Sequence, residues 1–256
     1  ARLVIGTRGT SPYVNRMRMM WESMRETVIE KMPDAPGLPQ NIQGYLQLVE
    51  EIYVTDAYHS LSIEGYRVSR ELIEKVRSGQ WDPEQDECDR SLKDAMAARG
   101  YWQAYQEVRT NLEKVLKGEN PGKVARSMHG NWYREMFAPS ITAGLLKPSD
   151  LAGYRNNQVY IRQSKHVPPN RDAVRDLMPA LFDLLENETD AGVRVVLGHF
   201  MFVYIHPYMD GNGRIGRFLM NVMLASSGFP WTVVPLEKRK EYMTALEQAS
   251  VEQDIS

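Results

Sequence analysis

Apolar residues recur at helical spacing along most of the chain, and this periodicity predicts a mainly α-helical protein. Residues 15–32, NRMRMMWESMRETVIEKM, carry an apolar stripe that stops at PDAPGLPQN, a stretch whose prolines and glycine predict a loop. A second helix is expected over roughly 40–60, with Gly65 ending that element and Ser69 placed to cap the next. LKDAMAARGYWQAYQEVRTNLEKVLKG is long, amphipathic and closed by Gly118. RDAVRDLMPALFDLLENE and DAGVRVVLGHFMFVYIHP predict two more helices, the second ending at His206 because a residue before proline disfavours the α region. RIGRFLMNVMLASSG predicts another, closed by Gly228. One stretch departs from the pattern. In YRNNQVYIRQSKHVPP, Val159 and Ile161 alternate with Tyr160 and Arg162 after an Asn-Asn turn, which predicts a small β-hairpin.

Composition narrows the function classes. A formal net charge of −2 gives no global basic field, so nucleic acid is not an expected partner. No apolar run approaches the roughly 20 residues that a spanning helix needs, so no membrane is expected either. Cys88 is the only cysteine, which excludes an intrachain disulfide and argues against a cysteine-based zinc site; a cytoplasmic location fits best. The first residues lack an initiator methionine and a signal-peptide apolar region of usual length, which reads as a processed or trimmed end.

The chemistry gathers in HPYMDGNGRIGR, residues 206–217. Its Gly211, Gly213 and Gly216 form a G-x-G-x-x-G string, and a dinucleotide-binding reading is available: FMFVYI as strand, RIGRFLMNVML as helix, and TVVPLE as second strand bearing Glu237. Against it, HPYMD separates the strand from the glycines and the upstream segments are helical, so a doubly wound sheet has no source. Read as helix, loop and helix, the same residues make an anion site at a helix N-terminus. Arg214 and Arg217, three apart, share a helix face and offer planar forks to phosphate oxygens. Asp210 is a hard oxygen ligand suited to a phosphate-bound Mg2+, and His206 has the near-neutral pKa of a general base. His59, His129, His166 and His199 show no metal-ligand spacing and read as core or surface residues, with His166 set apart by its place near the hairpin.

This stretch resembles the Fic family motif His-Pro-Phe-x-Asp/Glu-Gly-Asn-Gly/Lys-Arg-x-x-Arg, departing from it only at Tyr208, whose ring is expected to anchor the loop in the core. The resemblance covers roughly residues 45–256 and implies a Fic-type helical bundle with a small β-hairpin flap. On that reading, residues 1–40 are an N-terminal helical extension and linker. Residues 41–256 are the Fic domain, with an inhibitory helix at about 45–65, a flap at about 153–169 and the active-site loop at 206–217. It implies a protein adenylyltransferase, moving AMP from ATP to a Ser, Thr or Tyr hydroxyl of a target presented in extended form along the flap, at Val159, Ile161, Gln163, Ser164 and His166. His206 would be the base and Asp210 the Mg2+ ligand. The backbone of Gly211 to Gly213 and the Asn212 amide would stabilise charge on the α-phosphate, with Arg214 at the β-phosphate and Arg217 at the γ-phosphate. Tyr242 matches an aromatic position of the adenine pocket, and Ser250 stands where relatives often carry Asn. The Gly-Asn-Gly loop favours AMP transfer over kinase chemistry; AMP removal by the same site and a catalytically silent binding module are the alternatives.

SLSIEG, residues 60–65, is similar to the family's inhibitory pattern Ser/Thr-x-x-x-Glu-Gly/Asn through Ser60, Glu64 and Gly65. Glu64 is expected to pair with Arg217 and occupy the guanidinium meant for the γ-phosphate. The self-inhibited relatives are often dimers, which leaves a homodimer possible while the sequence specifies no interface. Relatives usually continue past the last helix, so the C-terminus reads as clipped.

Overall fold

The computed structural model describes residues 11–81 and 89–256; Cys88 and the first ten residues lie outside them. Among the described residues the chain forms nine α-helices: α1 (Pro12–Lys31), α2 (Ile42–Ile63), α3 (Arg70–Arg77), α4 (Asp89–Leu116), α5 (Pro121–Thr142), α6 (Arg171–Asn187), α7 (Ala191–Ile205), α8 (Asn212–Ala225) and α9 (Arg239–Val251). Short polar side chains start five of them. Asn41, Ser69, Asn120, Asn170 and Asp190 each accept the backbone N–H three residues on, a cap worth about 1 kcal/mol. No described helix is long and apolar enough to cross a membrane.

The bundle is built around α7, which is apolar on nearly every side: Val193, Leu197, Phe200, Met201, Phe202 and Ile205 are all buried. That is the pattern of a helix enclosed by others, with α1, α6, α8 and α9 as its neighbours. FMFVYI is therefore helical, and no strand exists among the described residues to build the sheet that a dinucleotide fold needs. Helices α4 and α5 run together and carry α2, α3 and α8 on their other sides. Gly100 sets their approach, since a Cβ there would overlap the Met136 carbonyl oxygen of α5.

The expected β-hairpin over 153–169 does not form. An isolated two-stranded hairpin is marginal in water, and here the chain finds better partners for its polar groups. Arg155 N–H donates to the Pro207 carbonyl at 2.9 Å, and the Gln158 amide donates to the carbonyls of Val159 at 3.1 Å and Pro168 at 2.9 Å. Gln163 takes a left-handed φ of 63°, which breaks an extended run. The segment is an irregular loop tethered at intervals to α7 and α9.

A buried carboxylate ties α2 to the core. Asp56 accepts the Tyr101 hydroxyl of α4 at 2.5 Å and the Trp231 indole N–H at 3.1 Å. Burial pushes its carboxyl up to about 6, against those two donors and Arg217, which pull it down.

Two stability measurements follow. Gly100→Ala should lower stability by about 2 kcal/mol or more, because backbone must move to admit the methyl. Gly130→Ala on α5, where the nearest atom is the flexible Arg134 guanidinium at 3.6 Å, should be neutral or stabilising by up to about 1 kcal/mol. Equal melting temperatures for the two variants would refute the close approach. For Asp56 the folded pKa lies above the unfolded value of 3.8, so its contribution is full below that value and is lost as pH rises through about 6. The melting temperature of the wild type relative to Asp56→Asn should accordingly fall between about pH 4 and about pH 7; parallel curves would show that Asp56 is not desolvated.

Candidate active site

The loop between α7 and α8 is shaped by its own side chains. His206 caps α7 in the left-handed conformation, φ 52° and ψ 60°, with its N–H on the Phe202 carbonyl at 3.0 Å. Tyr208 is buried as expected and stacks on Tyr133, centroids 3.8 Å apart, with no hydrogen bond to its hydroxyl among the described residues. The Asn212 amide closes the loop, accepting from Tyr208 N–H and donating to its carbonyl, both at 2.8 Å. One of the two Asn212 amide hydrogens is thereby committed inside the loop. Gly211, at φ 83°, gives the turn that starts α8, and its Cβ would lie 2.9 Å from the Phe137 ring. The first backbone bond of α8 runs from Ile215 N–H to the Gly211 carbonyl at 2.9 Å, so the N–H groups of Asn212, Gly213 and Arg214 have no intrahelical acceptor.

Both arginines turn inward beside those N–H groups. Arg214, 1% exposed, lies between the rings of Tyr66 (5.0 Å) and Phe137 (5.3 Å) and bonds Asp210 Oδ1 at 3.3 Å. Arg217 donates to Ser60 Oγ at 2.9 Å, to the Ser60 carbonyl at 3.0 Å and to Glu64 Oε1 at 2.7 Å. Burial works against the Arg217 charge, but Glu64 foremost, with Tyr242 and Tyr101, outweighs it and holds the pKa above the ordinary arginine value. A Cβ on Gly213 would overlap Glu64 Oε1, which puts that carboxylate directly over the start of α8. Glu64 is the C-cap of α2, and Gly65 turns the chain away at φ 90°. Ser60, Glu64 and Gly65 are thus brought to the loop. Arg217 Nη1 and Arg214 Nε are buried with no partner among the described residues, two cationic donors left over on the first turns of α8.

Asp210 is mostly exposed; its Oδ1 accepts from Gly211 N–H at 2.6 Å and from Arg214, and Oδ2 is uncommitted among the described residues. No cluster of three metal-ligating side chains exists among the described residues. A lone carboxylate with a free oxygen fits Mg2+ held mainly by phosphate and water. Across the cleft, His206 Nδ1 lies 3.3 Å from the Val203 carbonyl. A carbonyl only accepts, so Nδ1 carries the proton and Nε2 keeps its lone pair. Burial lowers the His206 pKa, which favours the neutral ring.

The remaining expected residues are spread more widely. Tyr242 on α9 meets His199 Nε2 at 2.7 Å and stacks on that ring, and burial lowers His199 to about 4. The pair fixes α9 against α7. Ser250 sits eight residues beyond Tyr242, about 12 Å along the helix, and no hydrogen bond ties it to the loop among the described residues. Val159 and Ile161 are half-buried and Gln163 is exposed. Ser164 donates to Glu247 of α9 at 2.5 Å, and His166 Nε2 meets the Tyr204 carbonyl at 2.9 Å.

Four residues of the site were not anticipated. Tyr66 and Phe137 sandwich Arg214, Arg155 holds the end of α7, and Glu247 holds the 164–165 turn. None of the four stands in a motif or at a spacing that marks it in the sequence.

Residues 123–224 match the Fic/DOC family. The chain is 25% identical over 239 residues to protein adenylyltransferase Fic of Nematostella vectensis, covering 92% of this chain and 52% of the relative. To the Drosophila virilis protein of that name it is 36% identical over 205 residues, covering 78% and 39%. The chain thus spans about half, or less, of the length of these curated relatives. The fold resembles that of Fic-1 from C. elegans, with a TM-score of 0.66 at 22% identity, over 93% of this chain and 66% of that one. The chain carries a domain of the Fic/DOC family, and the 206–217 loop lies within it.

Proposed function

We propose that this chain is a protein adenylyltransferase that moves AMP from ATP to a Ser, Thr or Tyr hydroxyl of a target protein and is held back by Glu64. The observation that carries the reading is the cleft at the start of α8. Three N–H groups without an intrahelical acceptor lie there, with two guanidinium nitrogens that have no partner among the described residues, and a carboxylate of the chain itself sits over Gly213 and on Arg217. A triphosphate is the ligand that matches so many donors.

In the transfer, neutral His206 takes the hydroxyl proton on Nε2, the hydroxyl oxygen bonds to the α-phosphorus, and the bond to the bridging β-phosphate oxygen breaks to release pyrophosphate. The N–H groups of Asn212 and Gly213 meet the charge developing on the α-phosphate, Arg214 holds the β-phosphate region and Arg217 the γ-phosphate. Asp210 would hold Mg2+, whose charge offsets that of the triphosphate. The target's segment docks against residues 158–162, exposed and half-buried positions of the loop. Tyr242 borders the adenine site, with Ser250 further along its helix. The catalytic unit on this reading is 41–256, with 1–40 as an extension, and its setting is the cytoplasm.

With Glu64 on Arg217, the γ-phosphate has lost its guanidinium and ATP binds out of line. Glu64 Oε2 has no partner among the described residues and its side chain is 27% exposed, so it can also orient a water. This favours AMP removal as the second activity of the same site.

Incorporation of α-labelled ATP into protein tests both. Glu64→Gly should raise self-labelling on the order of tenfold to a hundredfold, the equivalent of one charge-assisted hydrogen bond. His206→Ala in that background should cut it by a factor of about 10² to 10⁴ while ATP with Mg2+ still raises the melting temperature. Equal labelling with and without His206 would exclude it as the base, and labelled protein that loses AMP only when Glu64 is present would favour removal.

A further inference from the structure

Arg155 is 3% exposed, and no carboxylate pairs with it among the described residues. Its guanidinium is satisfied by main-chain carbonyls instead: His206 at 2.7 Å, Asn157 at 3.0 Å, Ile205 at 3.4 Å, and Pro169. Its own N–H donates to the Pro207 carbonyl at 2.9 Å. A buried cation is tolerated only where such acceptors surround it, and the exposed carbonyls of a helix C-terminus are the negative end of the helix dipole. Arg155 is therefore the C-terminal cap of α7, supplied from a segment 50 residues away.

What it caps is the residue read as the base. His206 is a non-glycine residue in the left-handed region, a conformation unfavourable for an L side chain and maintained by its surroundings. Two of the polar atoms that fix it, its carbonyl and the carbonyl of Pro207, both end on Arg155. We propose that Arg155 is the positioning residue of the site: its planar fork holds His206 in its left-handed geometry and ties it to the 155–169 segment against which the target docks. The proposal rests on the reading of His206 as base. The far end of the segment is fixed separately, by Glu247 on Ser164 Oγ at 2.5 Å and on Lys165 N–H at 2.7 Å. Loosening the segment and displacing His206 can thus be separated by mutation.

The electrostatics supply an independent readout. Burial is the main cause lowering the His206 pKa; the Val203 carbonyl on α7 opposes it, Arg155 adds to it, Glu64 at the end of α2 opposes it and His166 adds to it. Removing the Arg155 charge should therefore raise the His206 midpoint, whereas a lysine keeps the charge and loses the fork.

The test uses the Glu64→Gly protein as parent, with self-labelling by ATP as the rate and NMR titration of the His206 ring as the second readout. Arg155→Lys should lower the maximal labelling rate on the order of a hundredfold, the usual cost of a misplaced catalytic group, with KM for ATP within about twofold. Arg155→Met should add an upward shift of the His206 midpoint. Glu247→Gln should leave that midpoint at the parent value. A parent-like maximal rate in Arg155→Lys, or an unmoved midpoint in Arg155→Met, overturns the proposal. If Arg155→Met does not fold, the split between rate and KM in Arg155→Lys decides alone. If the parent labels nothing, the reading of His206 as base has failed, and the midpoint in Arg155→Met still decides whether Arg155 governs that residue.

Discussion

The site depends on a cation that has no exit. Arg217 is buried in the side of α8, and a guanidinium removed from water needs an anion or a dense set of acceptors beside it. Ser60 supplies two acceptors and Glu64 the charge. All three contacts come from one face of α2, since Ser60 and Glu64 are one helical turn apart. The helix that completes the core is thus also the helix that neutralises the site. An anion that takes the place of Glu64 on Arg217 Nη2 has to displace a carboxylate already bound there.

That competition has meaning only if the loop keeps its shape when the occupant changes. The geometry argues that it does. Tyr208 stacks on Tyr133, Asn212 closes the loop through two hydrogen bonds, and α7 and α8 approach at Gly216, where a Cβ would lie 3.1 Å from Val203 and 3.3 Å from His199. Each contact is made to core or main chain, and none to Glu64. Preorganised donors of this kind stabilise charge without reorganising.

The helices were legible in the sequence because periodicity, caps and terminal glycines agreed with one another. Ser69 caps α3 as expected, and Gly118 and Gly228 follow α4 and α8 with positive φ. Helix α5 was not anticipated: Pro121, Gly122, Gly130 and Pro139 punctuate it, and it forms because tertiary packing overrides propensity. Gly122 is needed where α5 meets the backbone of Leu185 and Glu186. The hairpin misled for the opposite reason. Two alternating apolar residues suggest a strand, but whether one forms depends on where the backbone finds partners, and here Arg155 and Gln158 took the available carbonyls. The motif residues that act through local backbone, such as Gly211 and Gly213, could be read. Those that act over 50 or more positions in sequence, such as Arg155 on His206 and Glu247 on Ser164, had no pattern to reveal them.

How easily the proposed brake is released follows from how α2 is held. Its anchor is Asp56, bound to Tyr101 and Trp231 two turns before Glu64, and Ser60 lies between them. Glu64 itself sits outside the last turn, followed by a glycine, with its side chain partly exposed. Withdrawing its carboxylate therefore needs a side-chain rotation or fraying of one turn, while Asp56 and Ser60 keep the helix docked. A tethered carboxylate competes at a fixed effective concentration, so the balance is set by the difference between its contacts and those of the incoming phosphate. Asp56 keeps that competitor within reach after every release, which makes the restraint reversible without unfolding any part of the core.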